Sequence, residues 1–147
     1  GTAVEALAPR AGRLVVTPHP GEMARLAGIS VAQVLQMPVD VALGFARKTG
    51  AVTVLKGHRT LVATPDGRLY RNTTGNAGLA RGGSGDILAG MVAGLAAQGL
   101  SPEAAAVCGV WLHGAAADVC AARHSMQGML PEDILQGLCA VFLENGR

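Results

Sequence analysis

The chain has 147 residues, half of them hydrophobic, with 21 glycines but only one Trp, one Tyr and two Phe. That length suits one domain with a real core, and the scarcity of rings means Ala, Val and Leu must fill it. A net charge of +2 is too small to argue for nucleic acid, and no stretch interleaves basic with aromatic residues.

The sequence opens on Gly1 in mid-pattern, so a fragment or trimmed chain lacking a preceding part is expected. Arg13 to Thr17 is a β-branched run stopped by Pro18 and reads as a buried strand. Pro20 suits a first helical turn and Gly28 an end, predicting a helix over Gly21 to Ala27. Ser30 is a candidate N-cap for a second short helix, and Val39 to Lys48 has helical apolar spacing. Ala51 to Leu55 reads as a second buried strand. Thr60 to Ala63 and Arg68 to Asn72 flank the turn signal Pro65–Asp66–Gly67 and predict a hairpin.

After the glycine-rich stretch Gly75 to Gly85, helices are predicted from Ser84 or Gly85 to about Ala97, Ala104 to about Ala122, and Pro131 to about Leu143. Strands followed by helices point to an α/β domain with a mostly parallel sheet flanked by helices. The longest uncharged runs, Ile87 to Pro102 and Ala104 to Ala117, fall short of the ~18 apolar residues of a membrane helix. With no signal-peptide pattern, a soluble cytoplasmic protein without a membrane partner is expected. Cys108, Cys120 and Cys139 form no CxxC pair and read as reduced, buried thiols, and Trp111 reads as core.

The most informative segment is Gly82–Gly83–Ser84–Gly85–Asp86, which opens an apolar helix. Backbone N–H groups there can turn toward an anion with no Cβ in the way, and the helix adds unpaired N–H groups and its positive dipole end. Asp86 in the first turn could take a proton from a hydroxyl attacking phosphorus, or could merely cap the helix. Lys56–Gly57–His58–Arg59–Thr60 follows a buried strand, where ligands of parallel sheets sit. Lys56 offers a charge to a phosphate and Gly57 close backbone approach; a solvated basic turn is the plainer reading. His19, stiffened by Pro18 and Pro20, could hydrogen-bond a ligand or only pack in its turn.

TPHPGEMARL, VLKGHRT and TGNAGLARGGSGDILAG, in this order from about Leu14 to Leu138, resemble the C-terminal catalytic domain of the YjeF-type proteins, the ADP-dependent NAD(P)H-hydrate dehydratases. The resemblance implies a ribokinase-like fold whose N-terminal part precedes Gly1. The implied activity is repair of the S epimer of hydrated NADH or NADPH, with ADP converted to AMP and phosphate. It also implies that Asp86 contacts the hydrated nicotinamide and acts as base, and that His19 contacts the hydrated dinucleotide. Lys56 to Thr60 and Gly85 would bind nucleotide, with Gly82, Gly83, Ser84 and Gly85 as an anion hole. Mg²⁺ is expected on the diphosphate, without assigned ligands.

Two positions depart from the family: Ala77, where Pro is frequent, and Arg81, where a smaller residue such as Thr is common. Arg81 could add a phosphate contact or merely be exposed. A vitamin-precursor kinase of the same fold is the nearest alternative, and a catalytically incomplete, oligomerising module is another. Homo-oligomers are expected in either case.

Overall fold

A computed structural model describes residues 12–146; the opening from Gly1 lies outside the described residues. The elements are β1 (Val15–Val16), α1 (Pro20–Ala27), α2 (Val31–Gln36), α3 (Pro38–Thr49), β2 (Val52–Leu55), β3 (Leu61–Ala63), β4 (Leu69–Arg71), a 3₁₀ turn (Ala77–Leu79), α4 (Ser84–Ala97), α5 (Pro102–Gly128) and α6 (Asp133–Asn145). Packing divides them into two compact units. One ends at Asn72 and includes Leu100–Val107; the other comprises Thr73–Gly99 and the chain from Cys108 onward.

The first unit is built on a four-stranded sheet in the order β1-β2-β3-β4. β1 and β2 are parallel, as the intervening helices require, while β2–β3 and β3–β4 are antiparallel. The sheet of the described residues is therefore mixed: the hairpin around Pro65–Asp66–Gly67 turns the chain straight back. Met23, Val34, Ala42, Phe45, Leu55 and Leu61 form the core beside it. Ser30 caps α2 through a capping box with Gln33, the exchange that supplies two of the unpaired N-terminal amides with partners. On the hairpin, Arg68 Nη2 lies 2.7 Å from Asp66 and 2.8 Å from Glu103 at the start of α5. Tyr70 Oη donates to the same Glu103. Hydrogen bonds from Arg68 and Thr64 hold the Asp66 carboxyl down at about 2, and Glu103 raises the Tyr70 hydroxyl.

The second unit packs α4, α6 and the later part of α5 around Ala116, Ala117, Ile134 and Val141. Two helix contacts bring backbones together. A Cβ at Gly137 would lie 2.2 Å from the Ala116 carbonyl oxygen, and one at Gly109 would lie 2.7 Å from Val92 Cγ2. α5 runs longer than expected and is interrupted at Ser125. By length and composition it could cross a membrane, but half of its most apolar stretch is buried inside the protein, so it serves as a core helix.

Two expectations are corrected. Only Cys120 is buried; Cys108 and Cys139 are free and exposed. Cys139 follows the packed Gly137 by two residues, which places it across the helix from that contact. Trp111 is 40% exposed; its carbonyl anchors a neighbour, accepting from Thr74 Oγ1 at 2.9 Å.

Gly137→Ala should destabilise the protein by about 1–3 kcal/mol through overpacking. Gly94→Ala, an exposed helical position with nothing within 4 Å of the added carbon, should stabilise it by about 0.5–1 kcal/mol. Urea unfolding of the two variants measures both signs.

Candidate functional site

In the first unit, the loops after β1 and β2 are stitched side by side. The Lys56 amide donates to the Pro18 carbonyl at 2.9 Å, so the chain segments bearing His19 and Lys56 leave the sheet together. His19 is the N-cap of α1: its Nδ1 accepts from the Gly21 and Glu22 amides at 3.0 and 3.3 Å. Glu22 completes the box by accepting from the His19 amide at 2.7 Å. With Nδ1 taken up by these amides, Nε2 is left on the far side of the ring, 3.4 Å from Glu22 Oε1. Nε2 is the atom that His19 can still turn toward a ligand.

Glu22 also reaches Lys56, with 3.8 Å between Nζ and Oε2. Its carboxyl is lowered first by the His19 amide and then, against some burial, by the charges of Lys56, His19 and Arg25. Glu22 had been read only as part of the TPHPGE segment. The signal for its role was its place three residues after the cap.

Lys56 is half-buried, while Gly57, His58 and Arg59 are exposed and Thr60 donates to the Gly57 carbonyl at 3.4 Å. Beside them lies an open cavity of about 270 Å³ with an apolar wall from Val34, Leu35 and Leu55 and a basic one from Lys56, Arg59 and Arg71. Arg71 was not foreseen; as the outer residue of a three-residue strand it looks ordinary in sequence. A Cβ at Gly57 would meet nothing within 4 Å.

In the second unit, the glycine-rich stretch divides into a fastened half and an open half. Asp118 on α5 accepts from the Gly75 amide at 2.8 Å and from Asn76 Nδ2 at 2.9 Å. Gly114 lies so close beneath that a Cβ would be 2.3 Å from Thr74 Oγ1. Asn76 caps the 3₁₀ turn, and Ala77 takes its first position, where Pro fits equally well. The open half, Gly82 to Asp86, leads into α4. Gly83 is the N-cap at φ 92, and no side chain caps this helix. Asp86 is therefore not the cap; it stands exposed in the first turn. The Ser84 amide donates to the Arg81 carbonyl at 3.3 Å, which leaves Gly82, Gly83 and Gly85 as the better anion donors of the four. A Cβ at Gly82 would meet nothing within 4 Å. Among the described residues no three His, Cys, Asp or Glu side chains group as metal ligands.

A family model described as NAD(P)H-hydrate dehydratase matches residues 2–139. An ADP-dependent (S)-NAD(P)H-hydrate dehydratase of Neisseria meningitidis is 54% identical over 106 residues, 72% of this chain and 36% of that protein. Among solved structures, the ADP/ATP-dependent NAD(P)H-hydrate dehydratase of Bacillus subtilis, co-crystallised with ATP/Mg²⁺, is 35% identical with a TM-score of 0.84, over 91% of this chain and 51% of that one. A ribokinase-like superfamily protein of Enterococcus faecalis is 30% identical with a TM-score of 0.76, over 97% of this chain and 50% of that one. The fold is thus ribokinase-like α/β, and the chain spans between 36% and 51% of these proteins' lengths.

Glu22 yields a pH signature. Its folded value lies below the ordinary 4.5, so the stability it contributes is present above that value and is lost as pH falls through the folded one. Glu22→Gln should be less stable than the parent at neutral pH, and the two should converge in acid. Unfolding curves at pH 7 and pH 3 check this, and a gap of equal size at both would disprove it.

Proposed function

The chain belongs to the NAD(P)H-hydrate dehydratase family, and from that premise we propose that it takes part in ADP-dependent dehydration of the S epimer of hydrated NADH or NADPH. The hydroxyl of the hydrated nicotinamide ring attacks the β-phosphorus of ADP, Asp86 accepts its proton, and AMP leaves. The phosphorylated oxygen then departs as phosphate, and the neighbouring ring carbon releases a proton to solvent as the C–H electron pair forms the ring double bond, restoring the reduced cofactor. The observation that carries this proposal is the uncapped amino end of α4, with Gly82 and Gly83 before it and the exposed Asp86 in its first turn. Such an end attracts phosphate and stabilises charge developing on it.

In the first unit, Lys56 to Thr60 bind the nucleotide. The apolar and basic walls of the adjoining cavity suit a base and a phosphate chain respectively, and Lys56 supplies a point charge. His19, through Nε2, contacts the hydrated dinucleotide. In the second unit, Gly85 contributes to nucleotide binding together with the amides of Gly82, Gly83 and Ser84. Mg²⁺ fits as a cation carried on the diphosphate: it commonly keeps several waters and takes few protein ligands, consistent with the absence of a ligand cluster among the described residues.

The same proposal places the protein in the cytoplasm as a soluble homo-oligomer. Leu135, Phe142 and Leu143 on α6 are 51%, 55% and 74% exposed, an apolar strip that supports association between copies.

Calorimetric titration with ADP, AMP and ATP in the presence of Mg²⁺ tests the reading. Gly57→Ala and Gly82→Ala have room for the added methyl in the protein alone. They should keep wild-type thermal stability yet weaken ADP or AMP binding about tenfold or more, because the space is needed by ligand. Lys56→Ala should also weaken binding, and Asp86→Asn should bind but not turn over hydrated NADH. Turnover with ATP and a vitamin-precursor alcohol would favour the kinase; unchanged affinity in both glycine variants would remove the nucleotide assignment.

A further inference from the structure

Ser125 is the one non-glycine residue with positive φ among the described residues. At φ 65 and ψ 158 it occupies backbone territory that is essentially reserved for glycine and persists only where surroundings enforce it. The enforced feature is a tight turn: the Met129 amide donates to the Ser125 carbonyl at 3.2 Å, and the Gly128 amide to Ser125 Oγ at 3.2 Å. The Gln127 carbonyl within this turn could not be paired by continuing the helix. Its donor four residues on would be Pro131, which has no N–H.

Arg81 supplies the missing donor, its Nη2 bonding to the Gln127 carbonyl oxygen. The flanking glycines bear on the same stretch. A Cβ at Gly78 would lie 3.0 Å from the Met126 carbonyl oxygen and 2.7 Å from Met129 Cε, and one at Gly83 would lie 3.4 Å from Pro131 Cγ. Meanwhile the Arg81 carbonyl accepts from the Ser84 amide at 3.3 Å. One residue therefore grips the turn with its side chain and the first turn of α4 with its backbone.

We propose that Arg81 is a positioning residue, a clamp that holds Gly82 to Asp86 against the 125–131 turn so that the loop amides and the Asp86 carboxylate are already arranged when the anion arrives. This rests on the nucleotide reading above for its purpose, not for its geometry. In the ligand-free fold Arg81 already has a partner through Nη2, a carbonyl that has no other donor within its helix, so the clamp needs no phosphate to form.

Amide hydrogen exchange in ligand-free protein tests the clamp, comparing wild type with Arg81→Ala, Arg81→Lys and Gln127→Ala. Arg81→Ala should raise exchange about tenfold at Ser84, Asp86 and Ile87, whose amides are bonded to the Arg81 and Gly83 carbonyls, and Val52 to Leu55 should stay unchanged as a folding control. Gln127→Ala keeps the accepting carbonyl and should exchange like wild type. Arg81→Lys, with a point donor in place of a fork, should recover protection only in part. In turnover measurements, Arg81→Ala should lower kcat more than it raises KM for ADP. Unchanged exchange in Arg81→Ala would overturn the proposal, most clearly if nucleotide affinity alone fell and Arg81→Lys restored it, the pattern of a phosphate contact. Failure of the wild-type chain to bind any nucleotide would count against the nucleotide reading alone, because exchange judges the clamp without ligand.

Discussion

With almost no aromatic side chains to span wide gaps, the second unit can exclude water only if its helix backbones come close. That requirement falls on α5. Gly137 of α6 meets α5 at Ala116 with no room for a methyl, Gly109 of α5 admits Val92 of α4, and Gly114 admits the chain at Thr74. Dispersion and burial then come from many small contacts instead of a few large ones. The same closeness fixes where the glycine-rich stretch begins, since Thr74, Gly75 and Asn76 are tied to α5 by Gly114, the Trp111 carbonyl and Asp118. The open loop that follows inherits a defined starting point.

The first unit reaches similar definition by electrostatics and hydrogen bonding. Glu22 holds the His19 amide and stands near both the His19 ring and Lys56, so three polar groups on two loops share one carboxylate. Each group is partly exposed, which keeps the individual pairs weak in water. The backbone bond from Lys56 to Pro18 is what fixes the spacing; the charges keep long side chains facing one another. A lysine held this way has lost some of its freedom, which would lower the ordering cost of the nucleotide binding proposed for it.

Much of this was legible in the residues. Cap signals located α1, α2 and α4 to within a residue, because Pro20, Ser30 and the glycines act on their own neighbours. The hairpin followed from Pro65–Asp66–Gly67 for the same reason. What stayed hidden depends on contacts distant in sequence: Asp118 reaching back to Gly75, Arg71 lining a cavity, the outward phase of Cys108 and Trp111. The break at Ser125 was hidden differently. No glycine or proline marks it, and only the turn it closes explains it. His19 as a cap was also missed, since histidine is not among the usual capping residues.

Glycine content alone does not tell which glycines the fold demands, but the space beside each one does. At Gly114, Gly137 and Gly78 the missing Cβ is explained by protein atoms already within 3 Å of where it would be. At Gly57 and Gly82 no protein atom explains it, and neither position has the positive φ that would demand glycine on conformational grounds. The two carboxylates divide in the same way. Asp118 has both oxygens engaged with the loop it fastens, whereas Asp86 sits in the first turn of a helix that no side chain caps. Gly57 in one unit and Gly82 with Asp86 in the other are thus positions whose residue type the proposed ligand chemistry would explain.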